Sequence, residues 1–306
     1  MDDLAALLDG PRARGAFVLR TILDPPWSLR IQDRAPLTLV ALVRGTAWIL
    51  PPARDDVRLL PGEVAIVRGP EPYIVADDPA TPPQVIIHPG QHCATVDGQS
   101  LYQAMDLGVR TWGNDPDGAT MMITGTYLME GEISKRLLEA LPPLLVQPGG
   151  AAIAMLGAEV VRDEPGQEAV LDRLLDLLLI ATLRSWFATH EAPAWYRARS
   201  DPIVGKAMRL MHNCPAHPWT VAALAAEVGV SRASLARRFT ELVGEPPMSF
   251  LTDWRLAMAA DLLREPDETV GSVARKVGYG SPFALSAAFK RVRGVSPQEH
   301  RAGAAR

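Results

Sequence analysis

The chain has 306 residues, a formal net charge of −4 and 48% hydrophobic residues, which is room for about two domains with buried cores. Two cysteines, Cys93 and Cys214, are too few for a disulfide-rich scaffold. The longest apolar run, from Leu177 to Leu183, is too short to span a bilayer, and the N-terminus lacks the pattern of a secretory signal. We therefore expect a cytoplasmic protein with no membrane association.

Charge is unevenly distributed along the chain. Residues 201–306 carry 14 Lys and Arg against 10 Asp and Glu, whereas residues 1–200 carry 17 against 25. A basic C-terminal part behind an acidic front is typical of a nucleic-acid-binding module joined to another domain. The excess is modest, so it supports that interpretation without establishing it.

The first 120 residues are predicted to form a β domain. Short β-branched runs such as 37–43 and 64–67 recur at about ten-residue spacing, with Gly45 and Pro61-Gly62 between them. This pattern predicts an antiparallel barrel or sandwich. A short leading helix is expected around Leu4 to Leu8.

Residues 121–190 are predicted to form a helical connector. One helix should end before Pro142, and a long helix should run from Gln167 to Phe187. That second helix is apolar on almost every side, so it must be covered on several sides. Packing on its own barrel and pairing with a second copy in a homodimer both remain open. Residues 191–200 are predicted to be a linker, and Asp201 is predicted to cap the first helix of a C-terminal domain, 201–306.

A short pattern occurs twice in the last hundred residues, about 49 positions apart. The first copy runs from Leu224 through Gly229 and Ser231 to Gly244, and the second runs from Val273 through Gly278 and Ser281 to Gly294. Each combines a short apolar helix, a Gly at a sharp turn, a Ser cap and a basic helix, which indicates a helix-turn-helix. Two in tandem suit two successive segments of the DNA major groove.

Residues 201 to 301 resemble the DNA-binding domain of the AraC/XylS family of transcription regulators. The resemblance covers about a third of the chain, and the front part is similar to the cupin-like sensor domain of one branch of that family. It implies a two-domain α+β protein: an N-terminal cupin-like β-barrel with a helical connector, and an all-α domain of seven helices. A linking helix, roughly Met248 to Leu263, would hold two recognition helices about 34 Å apart. Besides the repeat, the matching residues are Pro247, Arg255-Leu256, Ala259, Leu262-Leu263, the closing stretch Gly294 to Arg301, and, in the front part, Pro26-Trp27, Leu60 to Glu63 and His88 to Cys93.

The two helix-turn-helix copies are expected to contact DNA differently. Arg237 stands where the family often reads a base, and Arg suits the paired acceptors of guanine. A phosphate contact and a plain solvated surface position are the alternatives for Arg237. Arg232 and Arg238 are better suited to phosphates. In the second copy small residues replace long polar readers, so we expect the first copy to supply more of the discrimination and the second mostly affinity. The predicted DNA-contacting residues are Arg232, Ala233, Ala236, Arg237, Arg238, Ser281, Pro282, Ala284, Ala287, Lys290, Arg291 and Arg293.

His88, His92 and Cys93 form the conspicuous chemical cluster of the front domain. Three interpretations stay open: a structural role, a metal or ligand site made by a turn at Pro89-Gly90, and a redox sensor in which protonated His92 favours the Cys93 thiolate. No cofactor can be assigned. Cys214 is expected to be a buried apolar residue.

The sequence therefore predicts a DNA-binding transcription regulator that responds to a small molecule or an oxidant. The alternative is an effector-independent protein whose barrel serves only as a dimerisation scaffold. A cupin metalloenzyme is poorly supported, because Tyr73 stands where a His is frequent. The expected partners are double-stranded DNA, an effector, a second copy and, for an activator, RNA polymerase. The aromatic residues that could line an effector pocket are Trp27, Trp48, Tyr73 and Trp112.

Overall fold

The computed structural model describes residues 17–52, 54–127, 132–190 and 192–304. The described chain divides into two compact units. The barrel unit comprises residues 17–127 and 138–190, and the helical unit comprises residues 192–304 together with 132–137. The short helix expected at Leu4 to Leu8 lies outside the described residues.

The barrel unit contains two six-stranded sheets, as the ten-residue spacing predicts. Most neighbouring strands are antiparallel, and of the described strands only β1/β10 and β2/β8 pair in parallel. The order in one sheet is β10-β1-β11-β3-β6-β12 and in the other β5-β4-β7-β2-β8-β9. The strands are β1 (Phe17–Leu23), β2 (Ser28–Ile31), β3 (Leu37–Arg44), β4 (Ala47–Leu50), β5 (Val57–Leu59), β6 (Glu63–Arg68), β7 (Tyr73–Ala76), β8 (Val85–His88), β9 (His92–Thr95), β10 (Thr111–Gly113), β11 (Thr120–Tyr127) and β12 (Leu144–Pro148).

The predicted boundary between barrel and connector at residue 120 is wrong. Strand β11 pairs with both β1 and β3 in the middle of its sheet, and β12 extends the same sheet at its edge. Most of β11 is buried, so its sequence lacks the polar alternation that marks a half-exposed strand. The sheets therefore continue into the segment that the sequence assigned to helices.

Three helices follow or interrupt these last strands: α1 (Glu132–Glu139), α2 (Ala151–Glu159) and α3 (Gln167–Thr189). The long helix α3 is confirmed, and it packs on its own barrel. A side chain at Gly125 in β11 would place its Cβ only 2.3 Å from Leu175, so the glycine permits this close approach. Val170 and Leu177 remain exposed on the outer side of α3.

Residues 192–304 of the helical unit form eight helices. The first, α4 (Ala194–Ala198), lies inside the stretch predicted to be a linker, and that prediction is wrong because Ala198 is buried in the domain core. The other seven match the implied number. They are α5 (Val204–Asn213), α6 (Val221–Glu227), α7 (Arg232–Val243), α8 (Pro247–Leu262), α9 (Val270–Lys276), α10 (Pro282–Arg293) and α11 (Pro297–Ala304).

Helix α8 is the predicted linking helix, and it joins two hydrophobic clusters. Phe250 and Leu251 in its first half pack with helices α5, α6 and α7, whereas Leu256 and Ala260 in its second half pack with α9 and α10. Sixteen helical residues are about 24 Å long. One continuous helix thus belongs to both cores of the helical unit.

Candidate DNA interface and effector cavity

The first helix-turn-helix consists of α6, a turn and α7. The Thr220 hydroxyl caps α6 by accepting a hydrogen bond from the Ala223 amide, and Ser231 caps α7 by accepting one from Ser234 at 3.2 Å. Between the helices Gly229 takes a φ of +74°, a conformation that favours glycine. The chain therefore turns sharply at the predicted Gly and restarts at the predicted Ser.

The second helix-turn-helix repeats this construction in α9, a turn and α10. Gly278 has a φ of +83°, and the Ser281 hydroxyl accepts from the Ala284 amide at 3.1 Å. Both recognition helices have twelve residues and end at a glycine with positive φ. The one extra residue of the second copy, Gly280, lies before the Ser cap, so positions along α7 and α10 correspond one to one from Ser231 and Ser281 onward.

Arg255 of α8 holds the loop between α5 and α6 to the linking helix. Its guanidinium donates to the carbonyl oxygens of Pro215 and His217, both at 2.7 Å. The same loop carries Ala216, whose backbone lies where a side chain at Gly278 would project. Partial burial lowers the pKa of Arg255, but the guanidinium stays charged at neutral pH.

The closing stretch of the chain secures the far end of α8. Arg301 donates to the Leu263 carbonyl at 2.9 Å, and the His300 ring lies 3.1 Å from the Ala260 carbonyl. These residues carry much of the family resemblance, and their role is to hold the helices together.

The predicted DNA-contacting face of α7 is open to solvent. Arg232, Ala233 and Arg237 are exposed, and Ala236 is half-buried. Arg237 pairs with Glu241 one turn further along, with 3.3 Å between nitrogen and oxygen. Glu241 is also exposed, so this contact leaves Arg237 accessible.

Arg238 has an intramolecular partner that the sequence did not suggest. Its guanidinium donates to Asp201, with 2.9 Å between Nε and the carboxylate. Asp201 in turn accepts from the amides of Ile203 and Val204 at the start of α5. The helix begins at Val204 with Ile203 as its N-cap, so the predicted N-cap position at Asp201 is wrong by two residues. Arg238 thus ties the recognition helix to the start of the domain.

Helix α10 presents a more apolar face. Of the residues predicted from sequence, Ser281, Pro282, Ala284, Ala287, Lys290 and Arg291 are exposed, and Arg293 is half-buried. Phe283, which was not among the predicted contacts, is 84% exposed on this same helix. It corresponds to Ala233 of the first helix-turn-helix.

A cavity of about 760 Å³ lies in the barrel unit, between its two sheets. Leu19 and Thr124 line it from one sheet, and Tyr73 and Ile87 line it from the other. Burial and the nearby carboxylate of Asp33 raise the pKa of Tyr73, so the phenol is protonated. Of the four aromatic residues expected at a pocket, Tyr73 and Trp112 line this cavity; Trp27 is buried core, and Trp48 is not among the lining residues.

Two family models match the chain. The first, described as Cupin, matches residues 2–188, and the second, described as Helix-turn-helix domain, matches residues 224–303. The chain is 30% identical to an AraC-like transcription regulator of Streptomyces lividans, over 98% of each chain. It belongs to the AraC-like transcription regulators. It is therefore a DNA-binding transcription regulator with an N-terminal cupin domain.

Other relatives match this AraC-like regulator over the same extent. The HTH-type transcriptional regulator AlkR of Acinetobacter baylyi is 25% identical over 98% of each chain. The RCS-specific HTH-type transcriptional activator RclR of Escherichia coli is 26% identical over 98% of this chain and 97% of its own. Among solved structures, the DNA-binding domain of AdpA in complex with a target DNA is 35% identical over 34% of this chain and 93% of its own, with a TM-score of 0.32.

The His88 to Cys93 stretch of this regulator forms a hairpin. A turn at Pro89–Gln91 places His88 opposite His92, whereas Cys93 pairs with Ile87. Among the described residues, no group of three His, Cys, Asp or Glu side chains is arranged to hold a metal ion. The His88 ring is instead 3.2 Å from the Gln32 amide nitrogen.

The two cysteines differ from expectation. Burial raises the pKa of the Cys93 thiol, so the thiolate is not favoured as the redox interpretation required. Cys93 is half-buried in the cavity wall. Cys214 was expected to be buried but is exposed, because it lies just beyond the end of α5.

No helix in the described ranges is long and apolar enough to cross a membrane.

Proposed function

We propose that the cupin domain of this regulator binds a small-molecule effector in the cavity between its sheets, and that occupancy changes how the helix-turn-helix domain binds DNA. The cavity carries the proposal, because its volume falls within the range of sites for small ligands. Its lining is mostly apolar, and the buried Trp112 N–H has only the Cys93 thiol, a weak acceptor, beside it in the cavity wall. Such a donor favours a ligand that supplies an acceptor.

A contact between the cavity and the long helix supports a route for the signal. Arg110 lines the cavity, and its Nε donates to the side chain of Gln167, the first residue of α3, at 3.3 Å. The Gln167 amide also donates to the Glu159 carbonyl of α2 at 3.0 Å. A ligand that engages Arg110 would therefore change the hydrogen bonds that fix the start of α3.

The remaining features of the proposal follow from the family. We take the protein to be a cytoplasmic regulator and not an enzyme, since its relatives are named as transcription regulators. The protein would also form a homodimer through α3. If it is an activator, it would contact RNA polymerase as well. Operator sites would be bound through both recognition helices.

A cavity-filling variant tests the effector proposal. Anilinonaphthalene sulfonate, which fluoresces in apolar pockets, should bind wild-type protein at one site per chain. Thr124 is half-buried in the cavity wall, so Thr124→Trp should fill the space and reduce this binding more than tenfold. Val170→Trp, on the exposed face of α3, is the matched control and should bind the dye as wild type does. Absence of dye binding by folded wild-type protein would favour the scaffold alternative.

An oxidant is the second candidate signal, because the Cys93 thiol lies in the cavity wall, although its raised pKa makes the thiol less reactive. RclR, a relative over the full length, is named as RCS-specific. Hydrogen peroxide would oxidise the thiol to a sulfenic acid, transferring one oxygen atom and leaving water. DNA-binding titrations with and without peroxide, repeated with Cys93→Ser, separate the two signals. An identical response of both proteins would exclude Cys93 as the sensor.

A further inference from the structure

The exposed face of the second recognition helix is apolar where that of the first is cationic. Counting from the Ser caps, Arg237 of α7 corresponds to Ala287 of α10, and Ala233 corresponds to Phe283. The first helix therefore has a long hydrogen-bond donor where the second has only Ala287. The second helix has an aromatic ring where the first has only Ala233.

Phe283 is exposed because of where it lies on α10. Leu285, Ala288 and Phe289 form the buried side of this helix, and Phe283 lies away from them. Residues four apart on a helix share a face, so Phe283 and Ala287 form one apolar strip. With 84% of its surface open, Phe283 is more exposed than any other large hydrophobic residue of the described chain.

The positively charged residues next to this apolar strip indicate that it faces DNA. Lys290 and Arg291 continue the same side of α10, and both are exposed. A cationic end that grips phosphates would orient the helix so that its N-terminal residues enter the major groove. In that groove the thymine C5-methyl is the apolar group that a base pair presents, and Phe and Ala are side chains that contact it.

We infer that the second helix-turn-helix reads thymine by its methyl group, through Phe283 with Ala287 beside it. This rests on the DNA-binding function of the two helix-turn-helix copies and adds a specificity residue to it. The second copy then discriminates among sequences, and does more than supply affinity. The first copy would select guanine through hydrogen bonds of Arg237, and the second would select thymine through burial of methyl carbon.

Replacing thymine by deoxyuridine removes the methyl group and leaves base pairing intact. A preferred site is first selected from a randomised duplex library with the full-length protein. Each thymine is then replaced by deoxyuridine, singly, and binding is measured by fluorescence anisotropy. Wild-type protein should lose about threefold to fivefold in affinity at each methyl contacted by the second helix-turn-helix.

Phe283→Ala is the decisive variant, and its exposure means that the fold does not depend on it. The variant should bind thymine and deoxyuridine versions of the site equally, while Phe283→Leu should keep part of the preference. Leu242→Ala is the matched control, because Leu242 is an exposed apolar residue near the end of α7, in the first recognition helix. This control should leave the thymine preference unchanged.

Three results would overturn the inference. The first is a selected DNA site in which one half contains no thymine. The second is a Phe283→Ala variant that still prefers thymine over deoxyuridine. The third is a Phe283→Ala variant that binds DNA as wild type does but no longer supports transcription. The last would indicate a protein partner for this face. Failure to select any preferred DNA site would contradict sequence-specific DNA binding itself. The proposed effector does not influence these results, because the binding assay contains no effector.

Discussion

At the scale of single residues, the polar contacts decide which exposed cations remain available to DNA. Arg237 pairs with Glu241 on its own exposed helix surface, whereas Arg238 reaches back 37 positions to Asp201. The sequence places both arginines on the recognition helix. It could not distinguish them, because a contact between distant positions depends on the fold and leaves no local pattern.

Arg237→Ala should reduce discrimination at one base pair by about 1–3 kcal/mol, because a bidentate contact to guanine is lost. Binding to scrambled DNA should change little. Lys290→Ala should instead weaken cognate and scrambled sites alike, since a phosphate contact carries no sequence information. Titration of both variants against both sites measures the contrast, and equal losses for Arg237→Ala would remove its assignment as a base reader.

Asp201→Asn should make the helix-turn-helix domain less stable at neutral pH but not in acid. The hydrogen bond from Arg238 holds the pKa of Asp201 below its usual value, so ionised Asp201 stabilises the fold. That stability is present above the unfolded pKa and is lost as the pH falls through the lower folded pKa. Asn can still accept hydrogen bonds from the Ile203 and Val204 amides, so the variant removes mainly the charge. Thermal unfolding of both proteins across the acid range should show the gap closing; a constant gap would argue against the ion pair.

At the scale of elements, helices were more predictable than the last strands. Capping residues and Gly turns are local, so the repeat fixed the starts of α7 and α10 to within one residue. Strand β11 was missed because a strand buried on both faces shows no alternation, and its partners β1 and β3 lie far upstream in the chain. Phe283 was not among the predicted contacts, because its exposure is evident only once the helix and its buried side are in place.

The two turns provide a matched pair of glycines. Gly229→Ala places a side chain in open space and should cost about 1–2 kcal/mol, the penalty of positive φ alone. Gly278→Ala adds a Cβ only 2.7 Å from the Ala216 backbone. Its cost should therefore be clearly larger, about 3 kcal/mol or more. Urea unfolding followed by circular dichroism compares the two, and a smaller effect for Gly278→Ala would mean that the loop at Ala216 yields easily.

At the scale of the whole molecule, the outer face of α3 is the surface on which assembly can be tested. Leu177 is 48% exposed there, and Val170, 44% exposed, lies on the same side of the helix. The apolar pattern alone could not separate packing on the barrel from pairing between copies. The structure establishes the first, through Gly125 and Leu175, and leaves the second as a proposal.

Leu177→Arg should weaken a homodimer more than tenfold, because it would place an unpaired charge in the interface. Leu60→Arg is the control, since Leu60 is 45% exposed in the turn before β6 and should leave assembly unchanged. Sedimentation velocity across a range of protein concentrations measures the association. A wild-type protein that stays monomeric, or variants that behave alike, would exclude α3 as the dimer surface.

The helix shared by the two cores also makes distance along the DNA part of what is recognised. With α8 packed into both clusters and tied at Pro215 and Leu263, neither reading helix can be repositioned independently of the other. One inserted base pair shifts a half-site by about 3.4 Å and turns it by roughly 35° around the duplex axis. Such an insertion should therefore damage a site as much as a wrong base does, and genomic sites of this regulator should share a single gap length.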